Sequence, residues 1–227
     1  MATFPDPEDR NELAADCRRC PEPAAAREHI SWGVGSLEAT LFVVGEAPGA
    51  GDPGADRWQG GNHTGMAYTT RHSGRRVRDL FEGLGYDPDD LYFTNAVKCF
   101  PPDVAPSAAD GDPTDPSDGG EGSNREPTPE ERANCRPYLR SELETVAPDC
   151  VVPTGRHATE SLLAMTDRTL EGFLETVLDP IETEALPPLL PVLHPSYRNI
   201  WISRLGCEPA EYRQAIGEAL AELGAGP

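Results

Sequence analysis

Four short apolar runs constrain this chain more than any other feature: Thr40–Gly45, Leu91–Val97, Cys150–Gly155 and Leu189–Leu193. Each is too short for a buried helix and rich in Val, Leu or Phe. Each is also bounded by Gly, Pro or Asp, so it reads as a strand buried on both faces. Helical periodicity fills the intervals. Val77, Leu80, Phe81 and Leu84 repeat at i, i+3, i+4, i+7 behind a capping Ser73, with Gly85 as the stop. Thr128-Pro-Glu-Glu131 is a capping box that opens a helix with Cys135, Leu139, Leu143 and Val146 inward. Pro137 is expected to kink or split that helix. Residues 156–165 form a short helix, and 176–183 carry a weak edge-strand signal. Pro209 opens a final helix with Tyr212, Ile216, Leu220 and Leu223 inward. Strands alternating with helices predict one α/β domain: a central four-stranded parallel sheet flanked by helices on both faces.

A chain of 227 residues suits one such domain. Residues 1–16 read as a flexible acidic leader and 17–223 as the folded unit. Residues 103–127 are built largely from Asp, Gly, Pro and Ser and cannot bury enough apolar surface to offset their ordering, so they read as a low-complexity insertion. No apolar run is long enough to span a bilayer, and the N-terminus lacks the apolar core of a signal peptide. A cytoplasmic monomer with no membrane association is the expectation.

The charge balance is extreme: 39 acidic residues against 19 basic, net −20, with Lys98 the only lysine. The acids are spread from end to end, which fits a surface adapted to a high-salt cytoplasm, as in a halophilic archaeon, better than a single acidic tail. At molar salt the Debye length falls to about 3 Å, so distant acids barely oppose a local arginine patch. Nucleic acid therefore stays open as a partner, with affinity leaning on stacking, hydrogen bonds and shape.

In a parallel α/β sheet, ligands bind beyond the carboxyl ends of the strands. Three of those ends carry unusual residues here: Gly45-Glu46, Asn95 and His194. The Asn95 amide offers one acceptor and two donors and can read a base edge. Glu46-Ala-Pro-Gly49 is a tight, phosphate-sized turn. Arg71, Arg75, Arg76 and Arg78 surround the start of a helix whose N-terminus favours anions. Cys17, Cys20, Cys99 and Cys135 suit zinc or an iron–sulfur cluster equally well by spacing. Cys150, inside a strand, reads as core packing, and Cys207 has no assigned role.

Four of these motifs, in order, resemble the iron–sulfur uracil-DNA glycosylases: Gly45-Glu-Ala-Pro-Gly49; Thr94-Asn-Ala-Val-Lys-Cys99 with Pro101-Pro102; Thr128-Pro-Glu-Glu131 with Cys135-Arg-Pro-Tyr-Leu139; and His194-Pro-Ser-Tyr197. The first is similar to family 4. The run from Gly61 to Gly74 is similar to family 5, where a phenylalanine stands in the place of Tyr68. The resemblance implies a [4Fe-4S] cluster on the four cysteines, with zinc the less favoured occupant. It implies uracil-containing DNA as the substrate and hydrolysis of uracil to leave an abasic site. It assigns Tyr68 to stacking on the flipped base, Asn95 to reading it, and Gly45 and Ala47 to the enclosing turn. His194 stabilises the departing base. Water activation falls to Asp52 or Glu46, since relatives with a first-turn aspartate carry it where Ala47 stands. Arg71, Arg75, Arg76, Ser196 and Arg198 are the implied DNA contacts. A non-catalytic iron–sulfur nucleic-acid-binding module on the same fold is the alternative, with a zinc-bound α/β hydrolase a further one. A protein partner such as a sliding clamp is left open.

Overall fold

The computed structural model describes residues 10–54, 60–103, 125–194, 202 and 204–227, with the side chains of 71–73 left out. Three strands form where the apolar runs predict them: β2 (Leu41–Gly45), β3 (Leu91–Asn95) and β4 (Cys150–Pro153). All are buried along their length, and β2 lies between β3 and β4, parallel to both. The fourth ladder strand differs from expectation. It is β1 (Val34–Gly35), antiparallel to β3, so the sheet is mixed, in the order β1-β3-β2-β4.

The run 189–193 does lie parallel to β4, but only through isolated bridges at Leu189 and Val192. The backbone bonds are regular: Leu190 donates to Val151 (2.9 Å), Val192 to Pro153 (2.9 Å) and Gly155 to Val192 (2.8 Å). Pro153 has no N–H, so one bond to the run 189–193 is missing and the ladder is interrupted there; Pro191 faces the other way, its carbonyl accepting the Leu178 N–H (3.0 Å). Residues 176–183 are not a strand. The helix α5 (Phe173–Thr176) occupies their start, and only Ile181 bridges to Leu189.

Period-two alternation sorts the side chains into two layers. Leu41, Val43, Leu91, Phe93 and Val152 face α2 (Arg71–Glu82) and α6 (Pro209–Glu222), meeting Val77, Phe81, Tyr212 and Ile216. Phe42, Val44, Tyr92 and Val151 face α3 (Pro129–Val146) and α4 (Arg156–Leu163), meeting Leu139, Leu143, Ala158 and Leu162. Cys150 packs in the first layer, as expected.

Helix boundaries depart from expectation in three places. The cap of α2 is Thr70, three residues before the expected Ser73, which lies inside the first turn. The same helix stops at Gly83, before Gly85, which takes a left-handed φ of 98°. The long α3 runs unbroken through Pro137, because both Pro137 and the Ala133 carbonyl it leaves unpaired lie on the exposed face. Its capping box is as read: the Glu131 N–H donates to Thr128, and the Thr128 N–H to Glu131.

Residues 10–16, read as leader, lie against the domain. Arg10 bridges to Val34, Asn11 donates to the Gly33 carbonyl (2.9 Å), and Leu13 and Ala14 pack by Trp32. Within the expected insertion, 104–124 fall outside the described residues. Arg125 is anchored, its N–H on the Pro101 carbonyl (3.2 Å) and its guanidinium on Glu131. The two ends of the insertion therefore leave the domain side by side. Among the described residues no helix is long and apolar enough to cross a membrane.

Candidate active site and cysteine cluster

The strand ends converge on one pocket. Gly45, Glu46, Ala47, Pro48 and Gly49 line it from the turn after β2, Asn95 from the tip of β3, Thr154 from the tip of β4, and His194 from the run beside β4; Tyr68 lines it as well. Its cavity volume is about 60 Å³. The turn is held over β3 by the Ala96 N–H on the Gly45 carbonyl (2.8 Å) and the Val97 N–H on the Glu46 carbonyl (2.9 Å).

Gly45 has to be glycine. A Cβ there would stand 2.4 Å from Asn95 Oδ1 and 3.0 Å from Tyr68 Oη, so the side chains of the reader and the aromatic meet over its bare Cα. Asn95 is 4% exposed, and its side-chain amide makes no hydrogen bond among the described residues. Tyr68 adopts a left-handed φ of 56°, uncommon for an aromatic residue. Its hydroxyl, the group a phenylalanine would lack, meets Thr154 Oγ1 at 2.7 Å, and Thr154 in turn donates to the Val44 carbonyl. Burial holds the Tyr68 phenol well above its ordinary range.

Arg78 is a correction to the arginine patch. It is buried, 4% exposed, with Nη2 on the Ala67 carbonyl (2.8 Å), Nε on the Tyr68 carbonyl (3.3 Å) and Cζ 4.1 Å from the Phe93 ring centroid. Burial pulls its pKa down to about 9. It braces the Tyr68 loop from behind. Of the other arginines, Arg76 is exposed and Arg75 half-buried. The Arg71 side chain, Ser196 and Arg198 lie outside the described residues.

Burial, and then the neighbouring His157, lower the His194 pKa to about 4, so its imidazole is neutral at pH 7. The two candidate acids sit differently. Glu46 lines the pocket, and desolvation raises its pKa while His157 and Arg132 oppose the rise. Asp52 is exposed and outside the pocket lining, with Oδ1 accepting the Gly54 N–H in a tight turn (2.9 Å). His157, which carried no signal in the sequence, belongs to this electrostatic surround: Arg132 lies 2.7 Å from its Nδ1, and Glu126 3.3 Å from its Nε2.

Sequence reasoning also missed a buried network behind Asn95. Lys98 and Glu142 are 1% and 0% exposed and form an ion pair with Thr94. The signal was present. Glu142 falls on the inward face of α3 with Cys135, Leu139 and Val146, where a carboxylate needs a buried partner.

The four cysteines come from three segments and lie close enough to feel one another's charge. Cys17 precedes α1 (Pro21–Ala26), Cys20 is its N-cap, Cys99 follows β3, and Cys135 sits on the inner face of α3. Among the described residues no group of three or more His, Cys, Asp or Glu stands in coordinating geometry for a metal ion. The donor chemistry nonetheless fits a thiolate-bound centre. Cys99 accepts from Arg27 Nη1 (3.2 Å), Cys20 from Asn134 Nδ2 (3.4 Å) and Cys135 from the Lys98 N–H, and bonds of this kind support ligand sulfurs. Burial first, then neighbouring thiols, push Cys135 up to about 12.

The profile of the Uracil DNA glycosylase superfamily matches residues 32–221. The chain is 31% identical over 237 residues to the type-5 uracil-DNA glycosylase of Pyrobaculum aerophilum, covering 92% of this chain and 90% of that protein. It is 28% identical over 187 residues to the type-4 uracil-DNA glycosylase of Thermotoga maritima (82% and 80% covered). Against the type-4 enzyme of Archaeoglobus fulgidus it is 29% identical over 151 residues (66% and 60%).

Proposed function

The chain belongs to the uracil-DNA glycosylase superfamily, and from that premise we propose that it is a monofunctional uracil-DNA glycosylase of base excision repair. Uracil is unstacked and rotated out of the DNA into the pocket, at least cost from a mismatch or a single strand. Tyr68 stacks on the base. The Asn95 amide oxygen accepts from uracil N3–H and its NH₂ donates to O4, a pattern that cytosine reverses. The Gly45–Gly49 turn encloses the ring.

The C1′–N1 bond then breaks with its electron pair leaving on uracil. His194, neutral, donates to O2, where the negative charge develops. Water adds to C1′, and its proton passes to Glu46, the acid that lines the pocket; Asp52 shapes the adjoining turn. The departing uracil anion takes up a proton from solvent, and the products are free uracil and an abasic site. No lysine Schiff base is required. Exposed Arg76, with Arg71, Arg75, Ser196 and Arg198, is assigned to contacts with the DNA backbone.

Cys17, Cys20, Cys99 and Cys135 would hold a [4Fe-4S] cluster, whose contribution is structural: it pins the segment before α1 to β3 and α3. The iron content and broad visible absorption of the purified protein test this assignment, and zinc in place of iron rejects it.

The observation that carries the proposal is the meeting of an unbonded Asn95 amide and a neutral histidine in one pocket floored by Gly45. A uracil-containing oligonucleotide incubated with the protein at molar salt and then treated with alkali tests it. Strand cleavage at uracil is the expected result. Retention of the oligonucleotide without cleavage would instead assign the fold to a binding module.

A further inference from the structure

The only lysine in this chain lies under the pocket and is almost fully buried. Its ammonium has three protons, and three acceptors meet it: Thr94 Oγ1 (2.5 Å), the Asn95 carbonyl (2.8 Å) and Glu142 Oε2. Glu142 is equally occupied, with Oε1 taking the Gly33 N–H (3.0 Å) and Oε2 the Thr94 hydroxyl (2.9 Å). The peptide of Lys98 points elsewhere. Its N–H is on the Cys135 sulfur and its carbonyl accepts from Ser31 (2.7 Å). One residue thus joins the backbone of Asn95 to α3, to the segment leading into β1 and to the cysteine cluster.

Stability alone does not account for this arrangement. A buried ion pair is often matched or bettered by apolar residues of the same volume. The pair does one thing that apolar residues would not: it grips the carbonyl of the residue whose side chain faces the pocket. Beyond Asn95 the chain leaves the sheet, so the ammonium closes a three-residue turn that fixes the angle at which the amide emerges. Resting on the function proposed above, we propose that Lys98, paired with Glu142, is the positioning residue that sets the Asn95 amide for reading uracil.

The test uses the full chain. Lys98→Met alone leaves Glu142 buried and unpaired and is expected to unfold the protein readily, so the informative variant is the neutral exchange Lys98→Met with Glu142→Gln. Its single-turnover rate of uracil excision is expected to fall about 100-fold, the cost of roughly 1 Å of misplacement. In an Asn95→Ala background the same exchange is expected to cause no further fall, because a residue acting through Asn95 has nothing left to position. An exchange variant within about threefold of wild type overturns the inference, and so does an equal loss in the Asn95→Ala background.

A second measurement needs no variant. With lysine-selective ¹⁵N labelling the chain gives one side-chain ammonium signal, and saturation with free uracil is expected to shift it. An unmoved signal, with uracil binding seen by other resonances, refutes the coupling. Wild-type protein that excises no uracil removes the functional reading itself, and this inference with it; active wild type with an unimpaired exchange variant removes the inference alone.

Discussion

Gly45→Ala makes the sharpest test of the pocket's construction. The backbone at Gly45 is not left-handed, so alanine meets no conformational penalty there. The cost is steric. The added Cβ would lie 2.4 Å from Asn95 Oδ1, where ordinary contact begins at 3.4 Å, so the amide must retreat by about 1 Å or rotate. The Tyr68 hydroxyl, at 3.0 Å, has to give by a few tenths of an ångström and is held by Thr154. A displacement of about 1 Å at a reading group costs about 100-fold in rate. Overpacking of this kind costs about 1–3 kcal/mol in stability, small enough to leave the protein folded. Single-turnover excision of uracil from a labelled oligonucleotide, with the melting temperature measured in parallel, separates the two effects. A variant that melts near wild type and excises within threefold of it would refute the claim that Asn95 and Tyr68 meet over Gly45.

Further outcomes follow from the same geometry. His194→Ala is expected to lower the single-turnover rate about 10²–10³-fold, as for the loss of one donor to a developing anion. Because burial holds the His194 pKa at about 4, the rate should show no histidine inflection near 6.5. The acid limb should instead belong to Glu46, with the rate falling as pH drops through a carboxylate pKa above the ordinary value and the limb disappearing in Glu46→Gln. Tyr68→Phe keeps the ring and loses the bond to Thr154, so the rate should stay within a fewfold while stability falls by about 1 kcal/mol, read from denaturant unfolding. Arg78→Leu leaves the Ala67 and Tyr68 carbonyls without their guanidinium. It should cost about 1–3 kcal/mol per orphaned group by the same unfolding measurement and loosen the Tyr68 loop.

The sheet core and the pocket's three strand tips were legible in the sequence for one reason. Buried parallel strands leave continuous apolar runs, and the residues just beyond them are ligand-facing by topology. That topology accounts for Gly45, Asn95 and His194 lining one pocket. What escaped notice was paired polarity. Lys98 and Glu142 are 44 residues apart in sequence, and only folding brings them together. Thr154 read only as part of the strand run Cys150–Gly155, and the fold alone sets its hydroxyl against that of Tyr68. Arg78 read as part of a surface patch because its neighbours Arg75 and Arg76 are basic, although its place four residues after buried Gly74 and three before Phe81 turns it inward. The two-residue strand β1 is too short to leave any periodic signal, and the missing N–H of Pro153 interrupts the ladder to the run 189–193 without changing that run's strand-like composition.

The account rests most heavily on Asn95 as the group that reads the base. Its most direct measurement is the single-turnover rate of uracil excision by wild-type protein and by Asn95→Asp at molar salt. The substitution preserves size and removes the two donors, setting a carboxylate against uracil O4. A fall of at least about 100-fold, with the fold intact, is the predicted result, since a site built to hydrogen-bond its substrate discriminates strongly when a partner is lost. Equal rates in the two proteins would contradict it.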